Sequence, residues 1–439
     1  MQPGSDLKIA YYGDDFTGAT DTLATAARAG LRSLLFLGLP TPAQLARAGP
    51  LDCLGIAGAA RAMTPDEMRV ELEPVGRLFA QLGAPVMHYK TCSTFDSAPH
   101  VGSIGAAIDI LQPHAGNPLV AIVGGQPNLR RFCVFGNLFA AADGAICRID
   151  RHPTMRQHPV TPMHEADLRL HLTRQGLADV RLIDYTDIEQ GDDALDLQLQ
   201  ALLQAQPGAV LFDVANTADL APVGRLIWQR ARRQRLLAAG PSSVVQALAA
   251  HWQTATAQPE NAIAPAGGPV LVLAGSLSPM TARQVQAATS YEHLRLDAAR
   301  LAQDTAYRSQ TARRIAARLG QGKHVLASTS AGPCAEVAPV LQPSLPDGRA
   351  LALACGDLLA QVLDITPLQR LGIAGGDTSS HAVQALDAWG LSYQALLAPG
   401  VALCRLHSDR PSLDGLEIML KGGQMGGETL FEELLAGCA

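Results

Sequence analysis

The sequence is short of charged and aromatic residues. Charged side chains make up 17% of its 439 residues and aromatic ones 4%. Lysine and arginine together number 34 against 40 aspartates and glutamates, which gives a formal net charge of −6. A protein that binds nucleic acid needs a basic surface, so this composition argues against a nucleic-acid partner. An anionic ligand would have to be held by a local cluster of cations instead.

Other features are missing as well. No apolar run approaches the roughly 20 residues that a membrane helix needs, so no membrane partner is expected. The first residues lack a basic stretch followed by a long apolar one, which is the pattern of a secretory signal. The eight cysteines form no C-x-x-C pair, and their spacing is wide and irregular. We therefore expect reduced thiols and a cytoplasmic protein.

What the sequence does contain is a long alternation of strand and helix patterns. Apolar residues make up 48% of the chain, and domains of roughly 100–200 residues predict two or three cores. The alternation predicts an α/β fold in which mostly parallel sheets are flanked by helices. A stretch rich in Ala, Pro and Gly interrupts it at 254–268. We predict domains at 1–253 and 269–439 joined by this linker, with the active site in the cleft between them.

Three glycine-containing loops each follow an apolar run in the C-terminal half, at 274–281, 375–380 and 421–428. Glycine lets a phosphate approach the backbone, hydroxyls can donate to it, and Lys421 would neutralise phosphate charge. Each loop alone has a structural alternative: a capped helix, a tight strand-to-helix turn or a flexible loop. Loops that follow parallel strands meet at one sheet edge, which favours a shared site. None matches the P-loop or the dinucleotide fingerprint, so together they predict phosphate binding without naming a nucleotide.

Two motifs in the N-terminal half predict a polar substrate. Asp14 and Asp15 end the first apolar run, where carboxylates can hold substrate hydroxyls or take a proton from one. Helix capping is the alternative, but it needs only one of the two. Lys90, Ser93 and Thr94 form the second motif, because a lysine and hydroxyls can bind a carboxylate. A plain polar loop is the alternative there.

The stretch 148–164 combines arginines with three evenly spaced histidines, His152, His158 and His164. The prolines between them prevent a continuous helix, and the spacing fits no standard zinc pattern. We therefore favour a basic loop on the substrate side, with Arg151 as a substrate contact, over a metal site.

In their order and spacing these motifs resemble those of the four-carbon acid sugar kinase family, formerly a domain of unknown function. The resemblance rests on 14–19 (DDFTGA), 275–281 (GSLSPMT), 375–379 (GGDTS) and 421–424 (KGGQ), and it spans nearly the whole chain. It implies an N-terminal domain that binds a sugar acid and a C-terminal domain that binds ATP. Family members phosphorylate the terminal hydroxyl of acids such as threonate, erythronate or 3-oxo-tetronate.

The residues and the resemblance together give a set of candidates. Asp15 and Asp377 are the catalytic candidates, and Asp377 would also contact Mg²⁺, directly or through water. The predicted substrate contacts are Asp14, Asp15, Lys90, Ser93, Thr94 and Arg151. The predicted nucleotide contacts are Ser276, Ser278, Gly375, Gly376, Asp377, Thr378, Gly422 and Gly423.

The chain departs from the family pattern at 92–97. These residues read CSTFDS, where the family more often shows Asp-Ser-Thr-x-Arg-Gly. The missing arginine would be the natural partner of the substrate carboxylate. Arg130, Arg131, Arg148 and Arg151 are candidates to replace it, so the sequence leaves the exact acid open. It leaves a homodimer open as well.

Two other functions fit part of the pattern. The run from Asp14 to Thr17 superficially resembles the nucleophile motif of haloacid dehalogenase-type phosphatases. That chemistry needs alternate carboxylates, and adjacent residues of an extended chain face opposite ways. A two-domain sensor that binds a sugar acid without turning over ATP is the other alternative. We predict the kinase, with Asp14 or Asp15 orienting the attacking hydroxyl and domain closure excluding water.

Overall fold

The chain is divided into two units by its internal contacts. The computed structural model describes residues 7–142, 144–158, 160–252, 262–275, 278–329 and 348–438, without the side chain of residue 377. The N-terminal unit comprises Met1–Leu34 and Thr41–Gln258, and the C-terminal unit comprises Leu35–Pro40 and Pro259–Ala439. Most of the predicted linker at 254–268 lies outside the described residues. The short segment Leu35–Pro40 belongs to the C-terminal unit although it precedes most of the N-terminal one, which the sequence analysis did not anticipate.

The strands of the N-terminal half are short and apolar. They are β1 Ile9–Gly13, β2 Ser33–Phe36, β3 Cys53–Ala57, β4 Val86–Lys90, β5 Val120–Val123, β6 Arg131–Val134, β7 Asn137–Ala142, β8 Ala145–Arg148, β9 Val180–Ile183, β10 Ala209–Phe212 and β11 Leu236–Gly240. A parallel sheet runs in the order β3-β1-β4-β11-β5-β10-β9. Its inner strands are buried along their whole length, because helices cover both faces of a parallel sheet. Strands β6, β7 and β8 form a separate antiparallel sheet.

The helices of the N-terminal half show clear start and stop signals. They are α1 Phe16–Arg28, α2 Pro42–Ala48, α3 Pro65–Leu82, α4 Ile104–Ala115, α5 Leu168–Thr173, α6 Tyr185–Ile188, α7 Asp192–Gln204, α8 Leu220–Ala231 and α9 Ser243–Trp252. Helix α3 begins with a capping box between Thr64 and Glu67 and ends at Gly83, whose φ of 75° suits glycine. Helix α1 begins earlier than the sequence suggested, because Asp15 caps it.

The C-terminal unit contains a second, mixed sheet. Its strands are β12 Val270–Ala274, β13 Glu292–Arg295, β14 Val325–Ser328, β15 Arg370–Ala374, β16 Gly390–Ala398, β17 Val401–His407 and β18 Glu417–Lys421. Strands β13, β14, β12, β15 and β18 are parallel neighbours in that order. Strands β17 and β16 continue the sheet in antiparallel pairing, and the residues of β2 that belong to this unit pair with β16. The expectation of mostly parallel sheets is therefore confirmed.

The helices of this unit are α10 Pro279–Ala287, α11 Ala298–Gln303, α12 Thr305–Gly320, α13 Gly348–Ile365, α14 Gly376–Gln384 and α15 Leu430–Ala436. The sequence predicted one helix from 378 to 389, and this was wrong at its end. Helix α14 stops at Gln384 and strand β16 begins at Gly390. Pairing with β17 along the strand, and with β2 at Gly390 and Leu391, makes residues 390–398 a strand despite the alanines and leucines that favour a helix. None of the described helices is long and apolar enough to cross a membrane.

Candidate active site

The acidic pair and the lysine of the N-terminal unit meet because two neighbouring strands end together. Strands β1 and β4 are parallel, and their register pairs Gly13 with Lys90. The N–H of Asp14 donates to the carbonyl of Lys90 at 3.0 Å, which continues the pairing into the loop. The next loop along the sheet follows β3, and there the N–H of Arg61 donates to the carbonyl of Asp14 at 3.1 Å. Backbone pairing alone thus brings Asp14, Lys90 and Arg61 to one sheet edge.

Arg61 joins the two aspartates. Its Nη2 atom lies 2.5 Å from Oδ2 of Asp15 and 3.4 Å from Oδ1 of Asp14. Its Nη1 atom lies 3.8 Å from Oδ2 of Asp96, a third carboxylate. All three aspartates are at most 5% exposed, so the guanidinium offsets a concentration of negative charge that burial would otherwise make very costly. Arg61 was not among the predicted site residues, because it stands alone in an apolar stretch with no motif around it.

The two aspartates have different surroundings. The Asp15 carboxylate accepts from the N–H of Gly18 at 2.7 Å and from the Thr17 hydroxyl at 2.6 Å, besides its ion pair. Burial opposes its ionisation, but the charges of Arg61 and Lys90 and these hydrogen bonds together hold the pKa of Asp15 below its usual value. Among the described residues, the Asp14 carboxylate accepts only from Arg61. Burial outweighs that charge and raises the pKa of Asp14.

Lys90 lies beside this pair and has hydrogen-bond donors that a ligand can use. The residue is 2% exposed, and its ammonium donates to the Thr91 carbonyl at 2.6 Å. Within the part of the chain that the structure describes, its other two N–H groups have no acceptor. A Cβ atom placed on Gly18 would lie 2.3 Å from Nζ of Lys90 and 2.6 Å from Oδ1 of Asp15. Only glycine at position 18 therefore allows the lysine and the helix N-cap to sit this close.

The loop after β4 carries the predicted hydroxyls. Ser93 and Thr94 are each 5% exposed. The Thr94 hydroxyl donates to Asp96 at 2.6 Å and lies 3.0 Å from Sγ of Cys92. The Ser93 hydroxyl makes no hydrogen bond to any described residue, so it can bind a ligand. Phe95, which follows Thr94, is fully buried with a φ of 53°, a conformation that costs energy for a bulky residue.

The four arginines considered as replacements for the missing one differ sharply. Arg148 is paired with Asp150 at 2.5 Å, and Arg130 donates to the Gly144 carbonyl at 3.2 Å. Arg151 is exposed on its short turn, and no described contact joins it to the acidic cluster. Arg131 is half-buried at the start of β6, where its Nη1 donates to the Leu129 carbonyl.

Arg131 is the arginine whose surroundings best fit a ligand contact. Its Nε atom is buried without a hydrogen-bond partner among the described residues. Burial lowers the pKa of Arg131, while Cys92 and the carboxylates of Asp21 and Asp96 act in the opposite direction. The groups of the loop that carries Ser93 and Thr94 therefore act electrostatically on Arg131, although no hydrogen bond or ion pair joins them among the described residues. A buried N–H without an acceptor is costly, which is a reason to expect that a ligand completes it.

The predicted sharing of one edge by the three glycine loops is confirmed for the C-terminal unit. Parallel register pairs Ala274 with Ala374 and Ala374 with Lys421, so β12, β15 and β18 end side by side. Gly275 donates to the Ala374 carbonyl at 2.9 Å, and Gly375 donates to the Lys421 carbonyl at 2.9 Å. These hydrogen bonds hold the starts of the loops in line.

The first and second loops touch. A Cβ atom on Gly275 would lie 2.2 Å from Oγ1 of Thr378. Thr378 is 7% exposed on the first turn of α14, and Gly375 precedes that helix with a φ of 125°, which glycine adopts readily. Ser276 and the side chain of Asp377 lie outside the described residues. Gly376, Gly422 and Gly423 all lie at the same strand edge.

The third loop is tied to helix α10. The hydroxyls of Ser278 and Thr281 both donate to the carbonyl of Gly423, Thr281 at 3.0 Å. The Lys421 ammonium donates to Thr281 Oγ1 at 2.9 Å, Gln284 Oε1 at 2.7 Å and the Gly423 carbonyl at 3.2 Å. The Ser278 hydroxyl, a predicted nucleotide contact, is thus engaged with protein oxygens.

Lys421 is fully buried. Burial lowers its pKa to about 7. Its three N–H groups have three protein acceptors, so the expectation that it neutralises phosphate charge is not supported by this geometry. Gln284 was not among the predicted site residues. Its signal was a polar residue three positions after Thr281, on the same face of the helix.

No group of three or more metal-ligating side chains occurs among the residues that the structure describes. The evenly spaced histidines form no such group. His152 and His158 instead accept backbone N–H groups of their own loop. Magnesium in nucleotide sites is commonly held by one or two carboxylates together with the phosphates.

Comparison with known proteins agrees with a substrate site in the N-terminal unit and a nucleotide site in the C-terminal unit. Residues 9–248 match the family model of a sugar-binding N-terminal domain, and residues 271–431 match that of a nucleotide-binding C-terminal domain. The chain is 40% identical to a 3-oxo-isoapionate kinase from Paraburkholderia graminis, over 97% of this chain and 93% of that protein. It is 32% identical to a 3-oxo-tetronate kinase from Methylobacterium radiotolerans, over 98% and 99%.

A solved structure shares the fold along the whole chain. It is a protein from Salmonella typhimurium LT2, provisionally named a tRNA synthase, and it is 25% identical with a TM-score of 0.79. The match covers 97% of this chain and 98% of the other. The two family models and the identities to curated kinases leave one assignment: the chain belongs to the four-carbon acid sugar kinase family.

Proposed function

We propose that this protein is an ATP-dependent kinase that phosphorylates a hydroxyl of a 3-oxo sugar acid. Family membership makes it a sugar-acid kinase, and the finer statement concerns the substrate. The relative with 40% identity is a 3-oxo-isoapionate kinase, whereas the tetronate kinase described above is 32% identical. We therefore place 3-oxo-isoapionate first and 3-oxo-tetronate second. The observation that supports the kinase most directly is the buried acidic pair in a sugar-binding domain joined to glycine loops in a nucleotide-binding domain.

Asp14 is our preferred contact to the reacting hydroxyl. Its carboxylate has oxygen lone pairs that no described residue uses, and its raised pKa suits a group that takes a proton. Asp15, the original candidate for this role, already accepts from Gly18, Thr17 and Arg61. We propose that Asp15 fixes Arg61 and the start of α1, and thereby holds Asp14 in position.

The carboxylate of the acid would be held by cations that still have free donors. Among the described residues, two N–H groups of Lys90 and the buried Nε of Arg131 have no acceptor. The Ser93 hydroxyl can add a directional hydrogen bond. Arg151, predicted as a substrate contact, is exposed and receives no support from the described contacts. Arg131 is therefore our proposed replacement for the arginine that the family motif would supply.

The nucleotide phosphates would lie against the three loops of the C-terminal unit. Gly275, Gly375 and Gly423 keep the backbone open to a phosphate there, which is how such loops bind anions. A bound Mg²⁺ would supply charge neutralisation on the phosphate oxygens. We keep Asp377 as the proposed residue to hold it, since one carboxylate and the phosphates suffice for magnesium.

Neither alternative function is favoured. The phosphatase motif needs alternate carboxylates, whereas Asp14 and Asp15 are adjacent and are followed by Phe16 and Thr17. A sensor without ATP turnover is not supported either, because the similar curated proteins described above are kinases.

ADP release with purified full-length protein tests the proposal. The assay contains ATP and Mg²⁺ with 3-oxo-isoapionate, 3-oxo-tetronate, threonate or erythronate. We expect turnover with the 3-oxo acids and the highest kcat/KM with 3-oxo-isoapionate. Turnover with threonate or erythronate alone would refute the substrate assignment. No turnover with any acid, together with no thermal shift on adding nucleotide, would refute the kinase assignment.

A further inference from the structure

The third glycine loop has every second carbonyl turned towards helix α10. The carbonyl of Gly423 accepts from Ser278, Thr281 and Lys421. The next carbonyls in this pattern, those of Met425 and Gly427, accept from Nε2 of Gln284 at 3.0 and 2.8 Å. One loop is therefore held at three alternate peptides by side chains, a stronger restraint than a flexible connection would need.

Lys421 and Gln284 are the centre of this restraint, and both are completely buried. An ammonium buried without a carboxylate partner is expensive, even when all three of its N–H groups are satisfied. No acidic side chain approaches Lys421 among the described residues. An apolar side chain would pack at the end of β18 at lower cost, so the lysine is expected to do something besides stabilising the fold.

The consequence lies on the other side of the same peptides. All described peptide bonds are trans, so the C=O and the following N–H of each peptide point in opposite directions. With the carbonyls of Gly423 and Met425 held against α10, the N–H groups of Gln424 and Gly426 face away from it. No described residue accepts a hydrogen bond from either N–H. They are donors fixed in direction at the strand edge where the other two loops begin.

We propose that Lys421 and Gln284 are positioning residues for the nucleotide, which turn the N–H groups of Gln424 and Gly426 towards a phosphate oxygen. The inference rests on the proposed kinase function and names a device within that site. Lys421 acts through the loop and does not touch phosphate itself, since its three donors are committed to Thr281, Gln284 and Gly423. The gain is that the donors are already oriented before the nucleotide arrives, so less entropy is lost on binding.

Steady-state kinetics of Lys421→Met in the full-length protein tests this. Methionine keeps the length of the side chain and removes all three donors. We expect the KM for ATP to rise about tenfold or more, the effect of losing one well-aligned hydrogen bond to a charged group. The KM for the sugar acid should stay within about twofold, because losing these donors should affect nucleotide binding alone.

Arg370→Met is the matched control. Arg370 is also a buried cation, 4% exposed, but it lies at the start of β15, whereas Lys421 lies at the end of the neighbouring β18. It pairs with Glu417 at 2.6 Å, so its loss should lower the melting temperature. The KM for ATP of this variant should remain that of the wild type. If both variants lower the melting temperature and neither changes the KM for ATP, Lys421 is purely structural and the proposal is wrong.

Gln284→Glu gives a second test should Lys421→Met fail to fold. Glutamate still accepts from Lys421, and it removes the donor that holds the Met425 and Gly427 carbonyls. A raised KM for ATP with an unchanged KM for the acid supports the proposal, and an unchanged KM for ATP overturns it. These outcomes differ from failure of the kinase function itself, in which the wild type would show no ADP release with any acid.

Discussion

Nη2 of Arg61 lies 2.5 Å from Oδ2 of Asp15, although the two residues follow different strands of the sheet, β3 and β1. The same nitrogen also reaches Asp14 at 3.4 Å. This arrangement separates the two aspartates chemically, because Asp15 is locked by several donors while Asp14 keeps free lone pairs. A doublet that looks symmetric in the sequence is therefore unequal in the folded protein.

Substituting the two aspartates should affect turnover and stability differently. Asp14→Asn should lower kcat by about 100-fold or more, the scale of a lost general base, with little change in melting temperature. Asp15→Asn should lower both kcat and the melting temperature, since breaking a buried ion pair costs about 3–5 kcal/mol of unfolding free energy. Turnover and denaturant unfolding of both variants are the measurements. Near-normal turnover of Asp14→Asn would exclude it as the contact to the reacting hydroxyl.

The second prediction decides which arginine binds the acid. Arg131→Met should raise the KM for the sugar acid about tenfold or more and leave the KM for ATP unchanged, because a charge-assisted hydrogen bond to the carboxylate is lost. Arg151→Met is the matched variant, and its exposed side chain should be dispensable. The reverse outcome, in which only Arg151→Met raises the KM for the sugar acid, would restore Arg151 as the substrate contact predicted from the sequence.

The third prediction uses the contact between two nucleotide loops. Gly275→Ala places a methyl group 2.2 Å from Oγ1 of Thr378. One of the loops must move, so nucleotide binding should weaken strongly and stability should fall by roughly 1–3 kcal/mol. Gly320→Ala is the control, because no atom lies within 4 Å of its added Cβ. That helical position should gain up to about 1 kcal/mol.

Calorimetric titration with a non-hydrolysable ATP analogue measures the binding of both glycine variants. Equal affinity in Gly275→Ala and Gly320→Ala would show that the first loop can shift without cost to the site.

The fourth prediction is a dependence of stability on pH. Burial lowers the pKa of Lys421 to about 7, whereas an unfolded lysine has a pKa of about 10.4. Between these values the unfolded chain binds a proton that the folded chain does not. The contribution of Lys421 to the free energy of unfolding should therefore rise from about pH 7 to about pH 10 and be constant below about pH 7.

Lys421→Met isolates this contribution, because the other ionisable groups are common to both proteins. The melting temperature of the wild type relative to the variant should increase across the upper range. A difference that is flat or that falls with pH would mean that Lys421 stays fully protonated in the folded protein.

Much of the fold could be predicted from the sequence. Apolar runs such as Val120–Val123 and Ala209–Phe212 are buried on both faces, and that composition leaves few alternatives to a parallel strand. Strand β16 could not be predicted in this way. Its residues are compatible with a helix, and only the neighbouring strands β17 and β2 supply the hydrogen bonds that make it a strand.

For the site, the sequence by itself determined which residue types stand at the strand ends: the aspartate doublet, Lys90 and the glycines of the three loops. Only the tertiary structure decided how they are used. Arg61 stands in no motif, Gln284 shows only its spacing from Thr281, and Arg131 was one of four candidate arginines that the sequence could not rank. Their contacts depend on how the elements pack. Hydrogen bonding and burial then set Asp15 apart from Asp14 and turn Lys421 inward. Both effects depend on distances between residues far apart in the chain, which composition and spacing do not contain.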